Sequence, residues 1–308
     1  MASQLIESVA LPSTIARRRH VRRQRRSQVT EVTPALAWYG LFMVLPLLAM
    51  IALSFFNWNS LVAQPHFGGL TNYRYLFQDE ILRTAIVNTV LYVGVGLLLI
   101  IPGGFLLGFF LSRRPPGHAV LSVILFTPWI VSASARAMMF TGLYQPSGAI
   151  NSILGAVGLG NLQHLWLSNP STALWSVIAT EAWAGIGATG VIFSAALGRI
   201  SPETYEAARL DGAGVWREMF SIAYPMTKDF VGLMTMLQFL WLFLGSAGTV
   251  LLLTNGGPGS STMTLAFYLY DQAFVSGRIG YSQAIGVVGL LVGLIGMGVI
   301  RFAFRTRE

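Results

Sequence analysis

Cysteine is absent from the 308-residue chain. A disulfide framework, a thiolate metal site and a cysteine nucleophile are therefore excluded. Histidine is scarce: His20, His66, His118 and His164 stand far apart, none at the spacing metal ligation needs. Charge is the third deficit. Only 10% of residues are Asp, Glu, Lys or Arg, against about 25% in an ordinary soluble domain. A soluble fold of this length needs a charged surface, and too few charges exist here to cover one. No Gly-x-x-x-x-Gly-Lys-Ser/Thr segment occurs, so this chain is not expected to cradle phosphates or hydrolyse ATP. Nor does the sequence cluster Asp, Glu or His as a membrane-bound transferase would at an interface.

What is present is apolar. Hydrophobic residues make up 54% of the chain, and the mean hydropathy is +0.62. The uncovered surface must face lipid. A spanning helix needs about 20 mostly apolar residues. Six segments reach that length: Ala35–Phe56, Thr84–Leu111, Ala119–Leu143, Thr172–Leu197, Val231–Leu253 and Tyr281–Phe304. The expected class is an all-α integral membrane protein with six transmembrane helices. One membrane domain, residues 34–308, follows a basic tail, residues 1–33. The intervening outer segments, near 57–83, 144–171 and 254–280, carry Pro, Gly, Asn and aromatics, which suits turns and short interfacial helices. Trp58, Trp129, Trp166 and Trp175 lie near predicted helix ends, where interfacial anchors sit.

The net charge of +8 is unevenly spread. Seven arginines fall between Arg17 and Arg26, directly before the first apolar run. That run is of spanning length and lacks a small-residue cleavage site, so it reads as an uncleaved helix. With the N-terminus in the cytoplasm, sixteen of the twenty basic residues fall on cytoplasmic segments. Arg74, Arg83, Arg136 and Arg278 fall elsewhere. The bias sets an orientation with both termini cytoplasmic. The arginine run suits topology setting and anionic lipid headgroups better than nucleic acid.

Gly104-x-x-x-Gly108 marks the second segment, and Gly286, Gly289, Gly293 and Gly296 line one face of the sixth. Small residues let helices approach closely in lipid, and packing within the chain is favoured here over a subunit interface.

The segment between the fourth and fifth spans, residues 198–230, is unusual. Ser201 stands at a helix start with Pro202 as first residue, and Glu203 and Glu206 favour the helix dipole. Gly212 is a natural left-handed stop. A second short helix is expected over Val215–Ala223, with Pro225 ending it. Ala207, Ala208 and Ala213 offer a close-approach surface; Trp216, Met219, Phe220 and Ile222 offer an apolar one. A pair resting on the bilayer would favour lysines and bulky apolar residues. Small residues beside Glu206 and Asp211 suit a protein groove better.

Glu206-Ala207-Ala208-x-x-x-Gly212 followed by Ile222-x-x-Pro225 resembles the EAA loop of bacterial binding-protein-dependent ABC permeases. The sequence departs from it at Lys228, where many members carry a further proline. Phe67-Gly68-Gly69-Leu70-Thr71-Asn72-Tyr73, Asn88-Thr89 and the run Thr254–Gly259 with Thr264–Tyr270 resemble the MalF-type carbohydrate subgroup, over roughly residues 35–305. The resemblance implies a type I, MetI-like importer fold. It implies a permease subunit moving a sugar or glycerol-phosphate-like solute across the bacterial cytoplasmic membrane. It implies two copies of an ATPase, which use ATP and Mg, while this chain binds no cofactor. A second permease, expected to be a different chain, and an extracytoplasmic solute-binding protein complete the set. Glu206, Ala207, Ala208, Asp211, Gly212, Ala213, Phe220 and Pro225 then form the coupling contact with the ATPase.

Two charges lie inside predicted spans, Arg136 and Glu181. At the bilayer centre each costs about 2.5–3.5 kcal/mol on insertion scales, so such residues face a cavity or one another. A solute-path lining and a structural ion pair are equally open. Trp183 and Gln238 are further candidates for the path, against ordinary helix packing. An ion-coupled transporter or channel would want paired intramembrane acids, and only Glu181 is clearly there.

Overall fold

The computed structural model describes residues 32–60 and 62–305. The arginine run 17–26 and Arg307 lie outside them. The chain divides into two compact units, Met1–Ala52 and Leu53–Glu308. In the first, the described residues lie in α1 (Val32–Leu53), a helix of mean hydropathy 2.2 that includes a π turn at Gly40–Val44. A helix apolar all round belongs in lipid.

The second unit is a helix bundle. It opens with a two-stranded ribbon, β1 (Phe56–Asn57) antiparallel to β2 (His66–Phe67), then α2 (Thr71–Gln78) and α3 (Glu80–Ser112). α4 (His118–Ile130), α5 (Ala133–Leu143) and α6 (Ala149–Ala156) follow, then α7 (Pro170–Leu197) and α8 (Pro202–Leu210). α9 runs unbroken from Val215 to Leu253. α10 (Leu265–Tyr270) and α11 (Ile279–Ala303) complete the order. Among the described residues, α1, α3, α7, α9 and α11 are long and apolar enough to cross a membrane, with α4 plus α5 as a sixth candidate.

Two expectations are corrected. The third span is not one helix: α4 and α5 meet at 96°. Pro128 lacks an N–H and crowds the preceding turn, Val131 is extended, and the Ser132 hydroxyl accepts the Ala135 N–H at 3.2 Å to start a new helix. Both halves are apolar, so hydropathy cannot see the break. Nor does Pro225 end a short helix. A π turn over Glu218–Ala223 precedes it, and the wider spiral accommodates the ring and the missing N–H within α9.

The backbone contact that organises the bundle is α3 against α7. A Cβ on Gly104 would lie 2.8 Å from Thr189 Cγ2, and one on Gly108 would lie 2.5 Å from Phe193 Cβ. Gly185 and Gly190 of α7 receive Ile100 and Leu107 of α3 in return. The Gly104/Gly108 pair therefore serves packing within the chain. The α11 stripe does so in part: Gly293 and Gly296 receive Phe243 and Phe239 of α9, while Gly289 faces open space.

The motifs outside the elbow are staples. Asn72 donates to the Ser54 and Phe56 carbonyls at 2.8 and 2.9 Å, fixing β1 to α2. Asn88 of α3 donates to the carbonyls of Ser260, Ser261 and Met263 at 3.2, 3.1 and 2.9 Å. Thr89 accepts the Leu265 N–H at 2.8 Å. Asp79 caps α3 through the N–H groups of Ile81 and Leu82, and also receives the hydroxyls of Tyr268, at 2.5 Å, and Tyr281.

Candidate functional site

The segment between α7 and α9 is an elbow. Ser201 stands at the N-cap position of α8 with Pro202 behind it, but its hydroxyl meets Thr204 Oγ1 at 3.1 Å rather than a backbone N–H. The Glu203 carboxyl is held below its ordinary pKa by its own backbone N–H and the Ser201 hydroxyl. α8 stops as the sequence predicts. Gly212 adopts φ 77°, its N–H reaches the Arg209 carbonyl at 3.0 Å, and the Ala213 N–H reaches the Ala208 carbonyl at 2.9 Å. This bond pair is a Schellman stop, which needs a left-handed residue at Gly212.

The outer face of the elbow is exposed and mixed in character. Glu206, Ala207, Asp211 and Pro225 are exposed, and Ala208 and Ala213 are half-buried. Trp216 and Phe220 stack at 6.1 Å and are 67% and 57% exposed; Leu210, the last residue of α8, is 91% exposed. The apolar set read from the sequence is thus divided. Met219 is fully buried, Ile222 half-buried, and only Trp216 and Phe220 look outward. Projecting large apolar side chains mark a surface that a protein partner or a membrane covers.

Behind the elbow lies Glu218, a residue sequence reasoning did not single out. It is 1% exposed. Arg209 Nε donates to its Oε1 at 2.8 Å, and Arg113, at the end of α3, donates to its Oε2. The bond to Glu218 raises the pKa of Arg209. The signal available in the sequence was an acid set between the elbow's apolar residues.

The model for the binding-protein-dependent transport system inner membrane component matches residues 100–306, which contain the whole elbow. The chain belongs to that family. This binding-protein-dependent permease is a multi-pass membrane protein, the membrane subunit of an ABC importer. A probable ABC transporter permease protein of Bacillus subtilis, YurN, is 34% identical over 85% of this chain and 90% of its own length. The diacetylchitobiose uptake system permease protein NgcF of Streptomyces coelicolor is 28% identical over 89% of this chain and 82% of its own. The fold is that of a chain in the crystal structure of a bacterial alginate ABC transporter in complex with an alginate pentasaccharide-bound periplasmic protein. That match has a TM-score of 0.75 at 21% identity, and covers 93% of this chain and 98% of the other.

Inside the permease bundle, Arg136 of α5 and Glu181 of α7 meet. Arg136 Nη2 donates to Glu181 Oε1 at 3.2 Å, with side chains 7% and 6% exposed. Thr249 of α9, which the sequence did not flag, donates to the same oxygen at 2.5 Å. Three helices, α5, α7 and α9, therefore converge on one ion pair. Trp183 is not part of it: it is 45% exposed and packs edge-on against Phe140 at 5.3 Å. Gln238 is buried on α9, about three turns before Thr249. Beside α5 opens a cavity of about 430 Å³ whose polar lining is Ser134, Thr141 and Gln145.

Proposed function

We propose that this permease moves a sugar or sugar-like solute inward and is driven through its α8–α9 elbow by a separate ATPase. Diacetylchitobiose names one relative's uptake system, and alginate names the transporter whose fold it shares. The observation that carries the docking reading is the elbow itself. A short helix with a rigid stop exposes Glu206, Ala207, Asp211, Trp216 and Phe220 without covering them. Ala208, Gly212, Ala213 and Pro225 shape the same surface. A socket on an ATPase is the partner such a surface fits. ATP and Mg belong to two copies of that ATPase, and this chain holds neither.

In this reading the elbow and both termini face the cytoplasm of a bacterial cell. The basic residues at the ends of α3, α7 and α11 and at the start of α9 support that orientation. A second permease, a different chain, completes the path, and a solute-binding protein delivers to the outer segments. Trp183, Gln238 and the polar cavity beside α5 are the proposed path contacts; Arg136 and Glu181 brace it.

The chain's lack of cysteine makes the test clean. Single variants Glu206→Cys, Ala207→Cys, Asp211→Cys and Ala213→Cys, paired with cysteines around the ATPase socket, should trap a covalent pair in membranes. Labelling of those positions from outside intact cells by a membrane-impermeant thiol reagent would overturn the reading.

A further inference from the structure

We propose that Glu218 is the positioning residue of the elbow. It ties Arg209 of α8 to Arg113 of α3, so that a push on α8 reaches α3 and α9 together. The proposal rests on the docking reading above.

Little else holds α8. No residue of α8 is buried, and its links to α7 and α9 are short turns. Apolar packing alone cannot set the orientation of such a helix, because few contacts distinguish one pose from another. Charge-assisted bonds are directional and stronger than neutral ones. Glu218 supplies two, one from each carboxylate oxygen, and their donors sit on different helices. The carboxylate is buried, its side chain 2% exposed, while Arg113 and Arg209 are 33% and 54% exposed. Both guanidinium groups thus remain partly hydrated around a desolvated acid, which has no other ion-pair partner among the described residues. A buried carboxylate without its partners is strongly disfavoured, so the arginines cannot drift from it cheaply.

A second link runs in parallel. The Arg113 guanidinium lies 4.5 Å from the centroid of the Phe109 ring, and Phe109 meets Tyr205 of α8 edge-on at 6.3 Å. One face of α8 is therefore held to the end of α3 by a charge bridge and an aromatic contact. Glu218 itself sits in the π turn within the first turns of α9. The same acid joins the ends of three helices.

The test uses the assembled importer in liposomes, with uptake and ATP hydrolysis measured in one preparation. In Glu218→Gln the complex should assemble and hydrolyse ATP. Uptake per ATP should fall on the order of tenfold, the scale of a coupling between sites. Glu218→Asp keeps the charge but shortens the reach, so it should also lower that ratio; a role in neutralising charge alone would leave it unchanged. An unaltered ratio in both variants overturns the proposal. If Glu218→Gln fails to assemble, Arg113→Gln, altered at a partly exposed side chain, decides: a reduced ratio supports the bridge and a wild-type ratio removes it. If the wild-type chain retains no ATPase at all, the docking reading falls and takes the bridge with it. A coupled wild type with an indifferent Glu218 overturns the bridge alone.

Discussion

Replacing Glu181 with leucine removes the acid that pairs with Arg136. Both side chains are less than a tenth exposed, and the charged atoms are 3.2 Å apart. At an effective dielectric of about 20 the attraction at that distance is roughly 5 kcal/mol, most of it offset by the desolvation of both ions. Breaking one side of such a pair costs about 3–5 kcal/mol, because the remaining charge has nowhere to go. Thr249 loses its acceptor as well. Exchanging both partners for apolar residues of similar volume, Arg136→Met with Glu181→Leu, should return the protein to within about 1–2 kcal/mol of wild type. The two single variants and the double therefore form a cycle with an expected coupling of at least about 2 kcal/mol. Reversible unfolding in detergent, followed through the eight tryptophans, measures it. A single Glu181→Leu variant costing under about 1 kcal/mol, or a double variant as unstable as the two losses added, would refute the pairing argument. The double variant also separates the two roles left open by the sequence. A brace predicts that uptake survives once stability is restored. Lost uptake in a stable double variant would reassign the pair to solute contact.

Gly108→Leu should destabilise the bundle by about 1–3 kcal/mol or more, since Phe193 Cβ, the Gly190 carbonyl and the Ser194 N–H leave no room for a side chain; thermal unfolding in detergent checks it, and an unchanged midpoint would contradict the close approach of α3 to α7. Gly212→Val should insert and fold, because a Cβ there meets nothing within 4 Å, yet the left-handed φ costs a β-branched residue roughly 1–2 kcal/mol and displaces the elbow. Membrane yield near wild type with uptake lost is the expected pair of readings. Asp79 offers a pH test. Burial would raise its pKa, but the Tyr268 and Tyr281 hydroxyls and the N–H groups of Leu82 and Ile81 together lower it. A lowered carboxyl pKa stabilises the fold above the ordinary value of about 3.9, and the contribution fades as pH falls through the lower folded value. Hydrogen-exchange protection of residues 264–281, corrected for intrinsic rates, should hold from about pH 7 to 5 and decline below about pH 4. In Asp79→Ala it should be weak throughout.

Hydropathy located the long helices because length and apolarity are what lipid demands. It misplaced their starts where polar caps extend them. The second span begins at Glu80 rather than Thr84 because Asp79 accepts the first N–H groups, and the fourth begins at Pro170 because Asn169 does the same. The elbow was legible from Ser201-Pro202 and from Gly212, whose conformations are local properties of the chain. The break between α4 and α5 had a local signal in Pro128 and Ser132, masked by apolar residues on both sides. The pairings of Glu218 and Thr249 were not legible. Arg113 precedes Glu218 by 105 residues, and Glu181 precedes Thr249 by 68. No short window of sequence contains either relation. The motifs Asn72 and Asn88-Thr89 were recognisable as patterns, but their physical meaning, a side-chain amide or hydroxyl meeting the backbone of a distant segment, needed coordinates.

These distant contacts make α3 the structural link between the two ends of the second unit. Its 33 residues span about 50 Å at 1.5 Å per residue. Asn88 and Thr89 near one end hold the backbone from Ser260 to Leu265, and Arg113 at the other end holds Glu218 behind the elbow. Between them, Gly104 and Gly108 are in backbone-close contact with α7. That contact leaves α3 little freedom to slide or rotate alone, because packed helices with interlocked small residues shift as units. α4 and α5, by contrast, break at 96°, and α4 touches α7 where the Leu125 carbonyl faces Gly187. A displacement that enters at the elbow and leaves the Glu218 bridge intact must therefore tilt α3 and α7 together. Relative motion is then confined to places where the backbone is already interrupted, and the α4–α5 break lies about one helical turn before Arg136 of the buried ion pair. A disulfide between α3 and α7 should consequently be tolerated by transport, whereas one that fixes the angle between α4 and α5 should arrest it. Arrest by the first or indifference to the second would show that the bundle does not move as this packing requires.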